Sequence, residues 1–155
     1  MTFLARIFLV CLLGIGLCLS VPSRADDGLD LADYRGKVVV LDFWASWCSP
    51  CRRSFPWWNQ MQARYADEGL VVIGVNLDND HDAASSFLAE FPADFRILYD
   101  TSKELARRYG IEAMPSSYIF GRDGKLQARH FGFKVKQQDE FEALLVDALG
   151  QEINE

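Results

Sequence analysis

The chain alternates between short, almost wholly apolar runs and longer segments in which apolar residues recur every three or four positions. The runs at residues 38–41 and 70–75 are rich in β-branched side chains and have no polar alternation. Such runs are typical of strands buried on both faces of a parallel sheet. We therefore expect two central strands, the first of which continues through Trp44.

The segments around these two runs predict helices and a hairpin. Trp58, Met61 and Tyr65 recur at helical spacing between a pair of cysteines and Gly69, which indicates a helix with Pro56 inside it. The remaining predicted elements are a short helix closed by Pro92, a strand at 97–99, a helix with a capping box at Thr101 and Glu104 that ends at Gly110, two strands around a hairpin turn at 121–124, and a last amphipathic helix that ends at Gly150.

The order of these elements indicates the class of fold. Strand and helix alternate three times, and a hairpin and a helix follow. This order predicts an α/β domain whose central mixed sheet is flanked by helices and has parallel strands and one antiparallel edge pair. With 155 residues, 50% of them hydrophobic, the chain is long enough to bury a core without disulfide bonds.

The charge balance excludes one class of partner. The chain has 16 Lys and Arg residues against 22 Asp and Glu residues, a formal net charge of -6. Its longest basic clusters are arginine pairs, Arg52-Arg53 and Arg107-Arg108. Nucleic-acid binding is therefore not expected, because an acidic surface repels phosphates.

The first 25 residues have the pattern of a targeting segment. Arg6 precedes an apolar or weakly polar run at 7–19, and the small-x-small triplet Ser23-Arg24-Ala25 follows. We expect a secretory signal peptide at 1–25 and a mature domain at 26–155. The run is shorter than the roughly 20 residues that span a bilayer, so an uncleaved anchor is the alternative. Cleavage would remove two arginines and no acid, which makes the mature domain more acidic.

The cysteines of the chain point to redox chemistry. Cleavage would remove Cys11 and Cys18 and leave Cys48 and Cys51 at the junction of a buried strand and a helix. Amide groups at a helix start stabilise a thiolate on the first cysteine, and the second cysteine can then attack a mixed disulfide. A structural disulfide would gain little from so short a loop, and a zinc site would need a second pair of ligands. Inert buried thiols are the remaining alternative.

Residues 40–51, with the sequence Val-Leu-Asp-Phe-Trp-Ala-Ser-Trp-Cys-Ser-Pro-Cys, closely resemble the active-site segment of thioredoxin. The chain as a whole, from about Leu29 to Leu149, resembles the exported thioredoxin-like reductases of the TlpA and ResA type. Residues 79–97 resemble the helix and strand that this family inserts into the thioredoxin fold. The features that carry the family resemblance are Arg52-Arg53 with Pro56, residues 75–78, and Tyr109-Gly110-Ile111 before Met114-Pro115.

This resemblance implies a thioredoxin fold and a thiol:disulfide oxidoreductase of the bacterial periplasm. It implies that Cys48 attacks a client disulfide and that Cys51 resolves the mixed disulfide. It also implies that Pro115 is cis, packs against the cysteine pair and lies where substrate backbone is held. The expected substrate-binding residues are Trp47, Pro50, Met114 and Pro115.

Asp42 is a further candidate for the catalytic site. It matches the buried acid of cytosolic thioredoxins, whereas the position of their lysine partner is occupied by Gly74. A carboxylate behind a dithiol would accept the proton of Cys51, and burial without a cation would raise its pKa. The alternative is a solvated carboxylate at a strand end.

Electrons must come from another protein. The mature chain has no glycine-rich dinucleotide motif, so we expect no cofactor and infer a membrane thiol electron donor. Exported proteins would be the substrates, and reduction of the apocytochrome c cysteines to thiols before haem attachment is the most familiar role of the family. No metal is expected, since residues 78–82 lack the glycine and the bidentate glutamate of a calcium loop and fit a solvated helix cap.

Two other classes of function remain open at this point. A peroxidase of the peroxiredoxin type has a Pro-x-x-x-Thr-x-x-Cys segment, but Ala45 stands at the threonine position here. A non-catalytic module that holds clients on the cis-proline surface would not need the cysteines.

Overall fold

Helices and strands follow one another in the order that the hydrophobic pattern predicts. The computed structural model describes residues 29–151. Its elements are β1 (Val38–Trp44), α1 (Cys51–Tyr65), β2 (Leu70–Asn76), α2 (His81–Glu90), β3 (Arg96–Tyr99), α3 (Glu104–Tyr109), β4 (Ser116–Phe120), β5 (Leu126–Phe131) and α4 (Gln138–Gly150). Short 3-10 helices at Leu31–Tyr34 and Val135–Gln137 precede β1 and α4.

The strands form one mixed sheet in the order β3-β2-β1-β4-β5. β1 and β3 both run parallel to β2, whereas β4 runs antiparallel to β1 and β5. Every residue of the central strand β1 is buried, as the apolar run at 38–41 predicts for its first four residues. The predicted fold class is confirmed, and the inserted helix and strand expected at 79–97 are α2 and β3.

The two faces of the sheet carry separate apolar clusters. Val40 and Trp44 of β1 point into one cluster together with α1 and α4, and this cluster includes both Cys48 and Cys51. Leu41 and the other odd-numbered residues of β1 point into the opposite cluster. Asp42 shares its side of β1 with Val40 and Trp44, because side chains alternate along a strand. Its carboxyl therefore lies on the same face as the cysteines.

The start of α3 differs from the predicted capping box. Lys103, not Thr101, precedes the helix, with a left-handed φ of 59°. The exposed backbone amides are satisfied by Asp100, whose carboxylate accepts from the Ala106 N–H at 2.8 Å, and by Ser102, whose hydroxyl accepts from the Glu104 N–H. The chain enters α3 from a tight turn, so a side chain further upstream reaches the amides.

Within residues 29–151, no helix has both the length and the apolar character needed to cross a bilayer. The signal peptide predicted at 1–25 lies outside the described residues.

Candidate active site

Cys48 and Cys51 form a disulfide where β1 passes into α1. α1 begins at Cys51, and Pro50 precedes it without a side-chain cap. The Cys51 N–H at the helix start is shared between two acceptors: it donates to the Cys48 carbonyl at 3.0 Å and to Cys48 Sγ at 3.3 Å. A helix start that offers an N–H to the first cysteine stabilises negative charge there.

The surface of the site is formed mainly by Trp47. Its side chain is 71% exposed, whereas Cys48 is 3% exposed and Cys51 is fully buried. In this oxidised form both cysteines are therefore buried, and they differ little in exposure. The exposed Trp47 directly precedes Cys48 in the chain, and Pro50 is partly exposed on the same turn.

Asp78 holds the turn that carries Trp47 and Cys48. Its two carboxylate oxygens accept from the backbone N–H and the hydroxyl of Ser46, at 2.8 and 2.9 Å. The Asn76 side chain donates to the same carboxylate at 2.8 Å. Asp78 thus connects the end of β2 to the residue immediately before the exposed tryptophan.

The expectation of a solvated cap at 78–82 was correct for one residue and wrong for another. Asp80 caps α2 by accepting the Asp82 N–H at 3.0 Å. Asp78 is instead buried, because it satisfies the polar groups of the loop after β1. Among residues 29–151, no group of three His, Cys, Asp or Glu side chains is arranged to hold a metal ion.

The Met114–Pro115 peptide bond is cis, as the resemblance implied. Pro115 is buried, and the half-buried Met114 packs against the cluster that contains both cysteines. The Pro115 carbonyl accepts from the Gly132 N–H at 2.8 Å, which joins the proline loop to the end of β5. The C-terminal ends of β1 and β5 and the N-terminal end of β4 therefore meet at the end of the sheet where the disulfide lies.

Asp42 is fully buried at the centre of the sheet. In register it lies between Gly74 of β2 and Ser117 of β4. A Cβ on Gly74 would lie 2.9 Å from the Ile97 side chain and 3.1 Å from Trp44 Nε1, so this position has no room for a lysine. The solvated alternative for Asp42 is wrong, because apolar side chains fill the space around it.

Burial raises the pKa of Asp42 from 3.8 to about 7. The Ser117 hydroxyl opposes this rise by donating to Asp42 Oδ1 at 2.7 Å. The Trp58 indole opposes it more weakly. Within residues 29–151, neither Asp42 Oδ2 nor Trp58 Nε1 has a hydrogen-bond partner. Asp42 therefore changes its protonation state near neutral pH.

Sequence reasoning did not identify Ser117 and Asp78 as parts of the site. The sequence signal for Ser117 is a serine in an otherwise apolar strand that the antiparallel register places opposite Asp42. The signal for Asp78 is an acid just beyond a buried strand end. The two histidines pack on aromatic rings, His81 against Tyr99 and His130 against Phe141.

Comparison with known proteins places these features in a family. A family model described as Redoxin matches residues 24–145. The chain is 30% identical over 110 residues to the thiol-disulfide oxidoreductase ResA of Bacillus thuringiensis subsp. konkukian. That match covers 71% of this chain and 64% of the relative. The chain thus spans somewhat less than two thirds of the length of such curated relatives.

Solved structures have the same fold. A protein of Chlorobium tepidum, described provisionally as the thiol:disulfide interchange protein DsbE, is 46% identical with a TM-score of 0.76. The match covers 79% of this chain and 86% of that one. A thiol-disulfide isomerase of Corynebacterium glutamicum is 25% identical with a TM-score of 0.69, over 81% and 88% of the two chains. The chain therefore belongs to the Redoxin family, and it has the thioredoxin-like fold and the ResA-type relatives that the sequence resemblance implied.

Proposed function

We propose that this protein is a thiol:disulfide oxidoreductase that reduces disulfides of other proteins outside the cytoplasm. The observation that carries the proposal is the disulfide at the start of α1, where the Cys51 N–H points at Cys48 Sγ beside the exposed Trp47. The relatives named as thiol-disulfide oxidoreductase and thiol:disulfide interchange protein support the same chemistry.

The reaction uses the two cysteines in sequence. In the reduced protein, the Cys48 thiolate attacks one sulfur of a client disulfide, and the other client sulfur leaves as a thiolate. Cys51 then loses its proton and attacks Cys48, which releases the second client thiolate and leaves the Cys48–Cys51 disulfide. Two electrons pass from the protein to the client.

Asp42 is the proposed acceptor of the Cys51 proton. It lies beneath the face of α1 on which Cys51, Phe55 and Trp58 succeed one another at helical spacing, and its pKa of about 7 suits a base at neutral pH.

Asp42→Asn should slow the Cys51 step several-fold at pH 7 and leave the first attack by Cys48 unchanged. Stopped-flow release of the second client thiol measures the step. Asp139→Asn, an exposed change of the same charge, is the control, and equal rates in all three proteins would exclude this role.

The location and the partners of the protein follow from the same proposal. The segment at 1–25 would direct the chain to the periplasm, where it would either be cleaved or remain as an anchor. A membrane thiol protein would then reduce the Cys48–Cys51 disulfide after each turnover. Reduction of the apocytochrome c disulfide to thiols is the client role that we propose for testing first.

The direction of exchange follows from the surroundings of Cys48. A strong oxidant needs heavy stabilisation of the thiolate of its first cysteine. Cys48 Sγ receives one hydrogen bond from the helix start, donated by the Cys51 N–H. The nearby cation Arg52 is engaged elsewhere: its guanidinium lies 3.7 Å from the Glu90 carboxylate and over the Phe91 ring. The buried acid behind the pair disfavours a second anion. The thiolate is therefore only moderately stabilised, which favours a reductant.

We expect a midpoint potential closer to that of thioredoxin, about -270 mV, than to that of DsbA, about -120 mV. Indole fluorescence in glutathione buffers should report the redox state, because Trp47 adjoins the disulfide and Trp44 packs in the same cluster as both cysteines. A midpoint above about -180 mV, the value of protein disulfide isomerase, would indicate an oxidase or an isomerase instead.

One set of assays tests the function against its alternatives. The pure reduced protein should reduce a disulfide-bonded peptide, with dithiothreitol as the electron donor for further turnovers. The Cys48→Ser, Cys51→Ser double variant should be inactive, and unchanged function in cells that carry it would indicate a binding module. Consumption of hydrogen peroxide at a rate above that of peptide reduction would indicate a peroxidase.

A further inference from the structure

We propose that Ser117 is a positioning residue, whose hydroxyl holds Oδ1 of Asp42 so that Oδ2 is the oxygen that receives the proton of Cys51. The inference rests on the proposed function, since it assigns Ser117 a part in the step that Cys51 carries out. Ser117 lies on β4 and acts through its hydrogen bond to Asp42.

The contact is made inside the sheet. Ser117 is 1% exposed and lies directly opposite Asp42 in the antiparallel pair of β4 and β1. Its hydroxyl donates to Asp42 Oδ1 at 2.7 Å. Residues on both sides of it in β4 are buried, and Tyr118 and Ile119 belong to opposite apolar clusters. A hydroxyl in such a strand costs free energy of burial unless it has a hydrogen-bond partner, and Asp42 is that partner.

The hydrogen bond distinguishes the two oxygens of the carboxyl. Oδ1 accepts a hydrogen bond from the Ser117 hydroxyl, so a proton that bound to Oδ1 would have to displace this donor. Oδ2 has no hydrogen-bond partner within residues 29–151. When the Cys51 thiol gives up its proton, the proton therefore binds to Asp42 Oδ2, and the electron pair left on sulfur forms the new bond to Cys48.

The charged and titratable groups around Asp42 come from few elements. α1 contributes the Cys51 thiol of the reduced form and the neutral Trp58, and β2 contributes Gly74, which has no side chain. On β5, His130 pairs in register with Ser117, and burial against Phe141 lowers the pKa of His130. Ser117 is the group whose hydrogen bond most lowers the pKa of Asp42.

Two measurements test the role of Ser117. Carbon-13 NMR of labelled aspartate carboxyls follows the titration of Asp42 in the oxidised protein, where the cysteines do not titrate. Ser117→Ala should raise the midpoint by about one pH unit, because an ionised carboxylate loses a charge-assisted donor. Ser117→Thr keeps a hydroxyl and should restore the midpoint. Ser116→Ala is the matched control, since Ser116 is a neighbouring buried serine that donates to the Ala113 carbonyl instead.

The second measurement is kinetic and uses 5,5′-dithiobis(2-nitrobenzoate) as the probe disulfide. The reduced protein should release one thionitrobenzoate by Cys48 attack and a second when Cys51 resolves the mixed disulfide. In Ser117→Ala the second release should be roughly fivefold slower at pH 7, and its pH profile should move upward together with the carboxyl midpoint. The first release should be unchanged.

The outcomes separate the two levels of the argument. An unchanged Asp42 midpoint in Ser117→Ala overturns the role of Ser117, whatever the activity. A slower second release in Ser117→Ala without a shift of its pH profile also overturns it, because a merely structural defect lowers the rate equally at all pH values. A wild-type protein that never releases the second thionitrobenzoate overturns the proposed function itself.

Discussion

In Cys51→Ser, mixed disulfides with client proteins should accumulate to many times the wild-type level, whereas Cys48→Ser should form none. The reason is the order of the two steps. Cys48 lies at the exposed Trp47 and receives the Cys51 amide, so it makes the first bond to the client. Without the Cys51 thiol, that bond has no intramolecular attacker and persists.

The measurement is non-reducing electrophoresis of extracts from cells that export the tagged protein, with free thiols alkylated at harvest. A Cys48→Ser, Cys51→Ser double variant controls for non-covalent association, because it keeps Trp47 and the proline loop. Accumulation in Cys48→Ser and not in Cys51→Ser would reverse the two roles. Turnover of a disulfide peptide should fall by more than about 1,000-fold in either single variant, because each thiol is needed once per cycle.

The fold could be predicted from the sequence because its strongest signals are local. The continuous apolar runs of β1 and β2 and the helical spacing of Trp58, Met61 and Tyr65 each specify an element without reference to the rest of the chain. The start of α3 was predicted wrongly because its amides are satisfied by Asp100, several residues before the helix. A contact across a turn leaves no fixed spacing for a capping pattern to detect.

The residues of the active site likewise fall into those that a local motif predicts and those that only the strand register reveals. Cys48, Cys51 and Pro115 lie in compact motifs, and the resemblance implied the cis bond that the structure contains. The partners of Asp42 and of the Trp47 turn come from other strands, and sequence spacing does not show which side chains face each other across a sheet. Ser117 is 75 residues from Asp42 and Asp78 is 32 residues from Ser46, so both contacts required the register of the strands.

Asp42→Asn should make the oxidised protein more stable at pH 8 than the wild type. The pKa of Asp42 is about 7 in the folded state against 3.8 for a solvent-exposed aspartate, because burial disfavours the carboxylate. The folded state therefore binds more protons than the unfolded state between these values. The free energy of unfolding of the wild type should fall as pH rises from about 4 to 7 and then level off, because the folded protein must release the Asp42 proton from a buried site.

The size of the effect follows from the width of that interval. One pKa unit corresponds to about 1.36 kcal/mol, so ionisation of Asp42 costs the folded wild type at most about 4 kcal/mol above pH 7. Asparagine has the same shape and stays neutral, but its buried amide adds a constant penalty of about 1–3 kcal/mol. The informative quantity is therefore the change in the stability difference between pH 4 and pH 8, in which the constant penalty cancels.

Urea unfolding of the oxidised wild type, Asp42→Asn and Asp139→Asn at pH 4, 6 and 8 measures this quantity. The free energy of unfolding of Asp42→Asn minus that of the wild type should increase by several kcal/mol from pH 4 to pH 8. Asp139→Asn removes the same charge at an exposed position, so its curve should stay parallel to the wild type. If the Asp42→Asn curve were also parallel, Asp42 would not titrate near neutrality in the folded protein, and a different group would have to accept the Cys51 proton.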